Sequence, residues 1–383
     1  MDAIEHARQF ALRHPNWSEQ PSDEFPHAAF AYLQRTGLLS APLERQRGGL
    51  GLDLGAGRTL TLLTILKHIG YGDLSAGRLY EGHINALQLI SLFGTPEQMD
   101  SAVRDVMAYG RIFAVWNTDD EDGVRIVSND GQTILEGAKS FASGADNVQR
   151  PLITGELPDG RRQLVLVPME WADIRVEPGW WDPIGMEGSQ SVRVDFSGTR
   201  IDPSALVGGP DDYIRQPWFF AGAIRFSAVQ LGAAEALFDE TRAHLRKLDR
   251  TEDPYQRQRA GQMVMKIESG NQWLIAAASQ FDAIGADGLA EHSDRIVNYV
   301  YMARSGIEQI CQEVMDLCIR SVGAQGLARS GRFQRIVRDL MLYLRQPAPD
   351  AAIAGAGAHS LESQASVIDL WRVPGDIDKG SVS

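Results

Sequence analysis

Two hydrophobic periods divide the chain. From Pro26 to about Ala108 apolar residues recur at helical spacing, as in PHAAFAYLQRTGLL and RTLTLLTILKHIGYG, with glycine-rich joints between the segments. Between Arg111 and Gly208 the period becomes two. RIFAVWNT, GQTILEGAKSFAS, RRQLVLVPM and SVRVDFSGTRI alternate or run apolar between the turn signals Asn129-Asp130-Gly131 and Pro158-Asp159-Gly160. After Gln216 the helical period returns. FAGAIRFSAVQLGAAEALFDETRAHLRK, AGQMVMKIESGNQWLIAAASQF and NYVYMARSGIEQICQEVMDLCIRSVG predict three long helices, and Phe333 to Leu344 a shorter fourth, together a bundle.

The order is therefore all-α, all-β, all-α, an α+β chain with a helical domain over 1–110, a β domain over 111–215 and a helical bundle over 216–383. A doubly wound sheet would alternate strands and helices throughout, so it is excluded. The glycine-rich QRGGLGLDLG (Gln46 to Gly55) lies between helices. It has neither the lysine of a phosphate-binding loop nor the preceding strand of a dinucleotide fingerprint, and reads as a structural turn.

Composition narrows the partners. The 383 residues, 44% of them hydrophobic, suffice for a large core. No run of eighteen apolar residues occurs, and MDAIEHARQFALRHPN has no apolar stretch after a basic one, so a soluble, unexported, cytoplasmic protein with no membrane partner is expected. A net charge of −13 disfavours the phosphate backbone of nucleic acid and leaves small molecules as the expected partners. Cys311 and Cys318 stand seven positions apart in a helical pattern, which reads as two small core residues and not as a disulfide framework or a metal site.

Several local phrases then converge. GLLSAPLERQRGGLGLD and HIGYGDLSAG stand in the N-terminal part, ILEGAKSFASGADN and the 29 residues WWDPIGMEGSQSVRVDFSGTRIDPSALVG in the β segment, and RSVGAQGLARSGRFQRIVRDL near the C-terminus. In composition and spacing they resemble the acyl-CoA dehydrogenase family, in which an N-terminal helical domain, a central β-barrel or sandwich domain and a C-terminal four-helix bundle hold FAD between the β domain and the bundle. The resemblance spans nearly the whole chain.

Carried over by register, the resemblance places Val115, Trp116, Asn117 and Thr118 along the pyrimidine side of the flavin, with Asn-Thr-Asp where the family has Thr-Glu-Pro. Phe141 and Ser143 match the aromatic and hydroxyl that flank the ring and reach its N5 edge. On spacing alone Phe141 reads as a half-buried strand aromatic, and it is the surrounding hairpin match that turns the reading to the flavin. Arg250 stands where an arginine reaches the FAD of a neighbouring subunit, a guanidinium fork being suited to pyrophosphate. Gly323 and Gly326 match a loop that approaches the adenine end, with a helix C-cap as the rival explanation. Arg338-Asp339 matches a strongly typed family pair and could equally be an internal salt bridge. A homodimer or homotetramer follows from the resemblance, because the family's cofactor site is completed by a second subunit. Arg225 is read from the residues themselves: it lies in the apolar helix AGAIRFSAVQLG, where a cation needs a core carboxylate or a substrate as partner.

The family's dehydrogenases remove an α proton with a glutamate shortly after the Arg-Asp pair. Here that stretch reads LMLYLRQPAPD and brings Gln346 or Pro347 to the position, neither of them a base. The alternative glutamate site, near the start of the first C-terminal helix, is occupied by Phe220, Ala221, Gly222 and Ala223. Asp350 is the nearest carboxylate and becomes the candidate base if its loop bends differently. The resemblance thus implies an FAD-dependent oxidoreductase acting on an acyl thioester or related carbonyl compound, with its electron acceptor unspecified. The missing glutamate motivates two other readings: a flavin-dependent monooxygenase that lets reduced flavin react with oxygen and hydroxylates aromatic or amino substrates, or a silent family member binding an acyl group or a partner protein.

Overall fold

The structure is a computed structural model and describes residues 2–13, 23–55, 57–129, 131–283, 292–328 and 331–372. The helices are α1 (Ala3–Arg13), α2 (His27–Arg35), α3 (Thr59–Gly72), α4 (Leu74–Phe93), α5 (Pro96–Tyr109), the short α6 (Trp218–Ala221), α7 (Ala223–Lys247), α8 (Pro254–Asp282), α9 (Ser293–Leu327), α10 (Arg332–Tyr343), α11 (Pro349–Glu362) and α12 (Val367–Leu370). Every strand falls between α5 and α6, so the expected order of helices, strands and helices is observed. No described helix is long and apolar enough to cross a membrane.

The chain forms two compact units: one of Met1–Glu19, Leu52–Gly77 and Phe219–Ser383, the other of Gln20–Gly51 and Arg78–Trp218.

The second unit carries the sheets. β1 (Phe113–Trp116), β2 (Arg125–Asn129), β3 (Gln132–Glu136), β5 (Arg150–Glu156), β6 (Arg162–Leu166), β9 (Thr199–Ile201) and β10 (Leu206–Val207) form one sheet in the order β10-β6-β5-β2-β3-β9, with β1 added to β5. β4 (Ala138–Ala142), β7 (Arg175–Glu177) and β8 (Val192–Asp195) form the other, in the order β4-β8-β7. Both turn signals read from the sequence join antiparallel neighbours: Asn129 pairs Gln132, and Glu156 pairs Arg162. Parallel pairing unites β1 and β5 from Phe113–Arg150 to Trp116–Ile153, which puts the end of β1 in the middle of the sheet system. Trp116, Phe113, Phe196, Leu152 and Val194 are buried around it.

α5 begins on a full capping box, Thr95 accepting from Gln98 N and Gln98 Oε1 accepting from Thr95 N at 2.9 Å, with Pro96 opening the helix and Gly110 closing it at φ 63°. His83 on α4 is fixed from both ring nitrogens. Nδ1 accepts from Phe113 N at 3.1 Å, so Nε2 carries the hydrogen and donates to Leu39 O at 2.7 Å.

The first unit is helical. α3 and α7 cross where glycine meets backbone: a Cβ on Gly232 would lie 2.0 Å from Lys67 O, and one on Gly70 would lie 2.2 Å from Val229 O. Only glycine permits that approach. Asp282, at the end of α8, caps α3 by accepting from Thr59 N at 3.1 Å and Thr59 Oγ1 at 2.6 Å. α8 has its own cap in Asp253, which accepts from Tyr255 N and Gln256 N. The three long helices and the shorter fourth of the sequence reading are α7, α8, α9 and α10, and α11 packs on α9 in addition. Cys311 and Cys318 are buried, free thiols of α9.

Candidate active site

In the sheet-bearing unit the structure brings together Val115, Trp116, Asn117, Thr118, Phe141 and Ser143. The ends of β1 and β4 are tied by Ser140 N donating to Thr118 O at 3.1 Å and by Trp116 Nε1 donating to Ser143 O at 3.1 Å. Behind them lies a polar chain. Buried Lys139 donates to Asp119 and, at 2.9 Å, to Thr154 Oγ1; Thr154 Oγ1 bonds Asn117 Oδ1 at 2.8 Å. An ammonium can only donate, so Thr154 accepts from it and donates onward, which turns the oxygen of Asn117 inward and its amide hydrogens away from the chain. Burial pushes the Lys139 ammonium down to about 8, against Asp119, which raises it. Asp119 also takes Arg162, so the Thr118-Asp119-Asp120 loop, which departs from the family phrase, is committed to ion pairs inside the unit.

Phe141 is no ordinary strand residue. Its φ is +51°, its ring is 50% exposed, and the β4–β8 register shifts between Lys139 and Ala142. A bulge of this kind re-aims a side chain. The ring stands edge-on to Trp180, with centroids 4.9 Å apart and planes at 90°, and to Trp181 at 6.2 Å and 82°. Beside it the Ser143 hydroxyl is buried against Ser191 Oγ at 2.8 Å, and Ser191 Oγ against Ser189 Oγ at 2.8 Å. Met186 and Gln190 on the same turn also have positive φ, 58° and 41°. Non-glycine residues held there cost of order 1–3 kcal/mol each and cluster at functional sites.

The other candidates lie in the helical unit. Arg304 of α9, 6% exposed, donates from Nη2 to Gln346 O at 3.2 Å and Pro347 O at 2.8 Å. The turn between α10 and α11 thus sets two backbone carbonyls under a guanidinium. Asp350 is exposed in the first turn of α11. Arg225 is fully buried on α7. Burial pushes the Asp53 carboxyl up to about 7 against the charge of Arg225, so a core cation acts on a half-buried carboxylate.

Arg250 pairs with Asp253 at 2.9 Å. Gly323 breaks the helical backbone of α9 at φ 65° and ψ −167°, and Gly326 follows half-buried one turn on. Of the Arg338-Asp339 pair, Asp339 is buried and takes Arg335 at 3.6 Å, while Arg335 also reaches Asp73 at 3.2 Å, so at least this carboxylate serves an internal helix contact. Among the described residues no group of His, Cys, Asp and Glu is placed to hold a metal ion.

The sequence reading passed over Ser189, Ser191, Trp180, Trp181 and Arg304. The serines carried no pattern that would bring them together: Ser189 ends a single helical turn and Gln190 follows it at φ 41°, so their approach depends on that turn.

A helical unit and a sheet unit that gathers a strained aromatic, a buried hydroxyl and the end of a central strand have the form of a flavoprotein oxidoreductase. Family models agree. The acyl-CoA dehydrogenase N-terminal domain matches residues 3–108 and the acyl-CoA dehydrogenase C-terminal domain residues 224–343, together more than half of the chain. The chain belongs to the acyl-CoA dehydrogenase family.

Among its relatives, dibenzothiophene monooxygenase of Mycolicibacterium goodii is 24% identical over 370 residues, covering 87% of this chain and 86% of that one. The probable acyl-CoA dehydrogenase YngJ of Bacillus subtilis (strain 168) is 22% identical over 339 residues, covering 83% and 85%. Among solved structures, FMN-bound TdsC from Paenibacillus sp. A11-2, a dibenzothiophene monooxygenase also solved with FMN and indole together, superposes with a TM-score of 0.84 at 21% identity, over 97% of this chain and 100% of that one.

Proposed function

We propose that the protein is a flavin-dependent monooxygenase acting on a flat aromatic or heteroaromatic substrate. One observation carries the reading: Gln346 and Pro347, at the position of the family's catalytic carboxylate, present carbonyl oxygens to Arg304, while Asp350 stands exposed on α11. Removing an α proton needs a positioned base. Oxygen chemistry on a reduced flavin does not need that carboxylate. Bound flavin supplies the redox chemistry.

The chain's own residues fit a flavin ring. Phe141 offers an exposed aromatic face, Ser143 a hydroxyl, Asn117 amide hydrogens turned away from the interior, and the end of β1 its backbone. FAD is the form that the family resemblance implies. The mononucleotide is favoured by the likeness to FMN-bound TdsC and by Arg250, whose guanidinium is engaged with Asp253. The aromatic substrate class rests on the dibenzothiophene monooxygenase relatives and on the indole complex of TdsC. Self-association into a homodimer or homotetramer belongs to the same reading; if the cofactor is FAD instead, Arg250, Gly323 and Gly326 are the residues that reach a neighbouring copy's nucleotide.

The test is turnover. Purified protein supplied with reduced FMN, oxygen and indole should yield an oxygenated product, and protein without flavin should yield none. A dehydrogenase acting on acyl thioesters is the second reading, favoured by the YngJ relative. It requires that an acyl-CoA alone bleach the bound flavin anaerobically.

A further inference from the structure

The hydroxyls of Ser143, Ser191 and Ser189 form a buried line with 4%, 5% and 1% exposure and two links of 2.8 Å. Each hydroxyl has one hydrogen to place. Three orderings of the line are possible, since Ser191 has one hydrogen and two lone pairs, and they differ in which hydrogen is left over; when both neighbours donate to Ser191, its own buried hydrogen has no acceptor among the described residues.

In the inward ordering Ser143 donates to Ser191 and Ser191 to Ser189. The Ser189 hydrogen is then stranded, because among the described residues its Oγ is bonded to Ser191 alone. A buried donor left without an acceptor loses its solvation with nothing in return. In the outward ordering Ser189 donates to Ser191 and Ser191 to Ser143. Both links are made, and the hydrogen left over belongs to Ser143, the member beside the exposed ring of Phe141. Among the described residues its remaining acceptor is Phe141 O at 3.5 Å, the outer limit of a hydrogen bond. The outward ordering satisfies the interior and leaves a donor at the surface of the site.

The backbone holds this line in place. Gly144 N donates to Ser189 O at 2.8 Å and to Gln190 O at 3.2 Å, which joins the end of β4 to the turn before β8. Asn147 Nδ2 donates to Gln190 Oε1 at 3.2 Å, supporting a residue at φ 41°. Strain of this kind persists where its surroundings over-determine it.

We propose that Ser189 and Ser191 are positioning residues that orient the Ser143 hydroxyl, directing its hydrogen outward to a ring nitrogen of the bound flavin. The inference rests on the flavin reading. A hydroxyl with a directed hydrogen is a better donor than a rotor free to turn inward, and the two inner serines polarise it further.

The test is a double-mutant cycle on flavin affinity, with FMN titrated into wild type, Ser143→Ala, Ser191→Ala and the double variant. Quenching of flavin fluorescence gives Kd, and the visible difference spectrum reports the ring's surroundings. Ser191→Ala should weaken FMN binding about fivefold, about 1 kcal/mol, and give the same spectral shift as Ser143→Ala. The double variant should bind no more weakly than Ser143→Ala, since both changes remove one bond. A general loss of folding does not produce that non-additivity. A Ser191→Ala protein with wild-type Kd and spectrum, or losses that simply add, overturns the inference and leaves the flavin reading standing. Wild-type protein that takes up no FMN overturns both.

Discussion

Arg304 Nη2 donates to Pro347 O over 2.8 Å, and this contact pins the turn between α10 and α11 to α9. The guanidinium also lies over the Phe226 ring at 5.4 Å, and burial lowers its pKa. A buried cation that saturates carbonyl oxygens is a structural clamp. The nearest carboxylate, Asp350, belongs to the next helix and to solvent.

Asp350→Ala should therefore leave oxygenation turnover within about twofold of wild type. At the first turn of α11 the carboxylate contributes only a helix-terminus interaction of about 0.3–1 kcal/mol. Steady-state rates of the two proteins decide it. A loss of a hundredfold or more would identify Asp350 as a working base.

Phe141→Ala removes a half-exposed ring from a residue already at φ +51°. Thermal stability should fall only modestly, because half of the residue stands outside the fold and its buried contacts are the edges of Trp180 and Trp181. FMN affinity should fall about tenfold, about 1.4 kcal/mol, with the loss of an aromatic wall. Fluorescence titration beside a thermal melt separates the two effects.

Gly232→Ala should destabilise the helical unit by about 3 kcal/mol, at the upper end of the usual cost of overpacking. The new Cβ would stand 2.0 Å from Lys67 O and 2.8 Å from Tyr71 N, both backbone atoms of α3, so α3 and α7 must separate. The urea midpoint measures it.

His83 sets an acid limit. Burial pushes its imidazole down to about 4, against an ordinary value of about 6.5 in the unfolded chain. The unfolded chain therefore binds the proton first as pH falls. Stability is complete above about pH 6.5, declines between 6.5 and 4, and is flat with respect to this group below that. The full loss is about 3 kcal/mol. His68, also pushed down to about 4 by burial and then by Lys67, adds a slope of the same sign. Urea midpoints across this range should fall in wild type, and in His83→Gln by about half as much.

The segmentation into helices, strands and helices was legible because burial imposes period 3.6 on α3 and α7 and period two on β8, where Val192 and Val194 alternate with Arg193 and Asp195. The helix α11 was not. DAAIAGAGAHS carries no apolar stripe, Ile353 is half exposed, and Gly355 is set against the Tyr301 ring, so small size rather than hydrophobicity packs this helix. Register puts Gln346 and Pro347 where the resemblance expects a carboxylate. The contact they make could not be read, because Arg304 binds main-chain oxygens, which have no sequence signature. The serine line likewise depends on a β4–β8 pairing with a bulge, which brings Ser143 and Ser191 together from 48 positions apart.

On the proposed function this scaffold works by oxygenation and not by α,β-dehydrogenation. The most direct measurement is mass spectrometry of the product formed from indole under isotopically labelled dioxygen, with reduced FMN supplied. In parallel, the visible band of the flavin-loaded protein is followed anaerobically across a panel of acyl-CoA thioesters. One labelled oxygen atom in the product and an unchanged flavin band with every thioester is the result predicted here. Bleaching by any one thioester, with no label in the aromatic product, would contradict it.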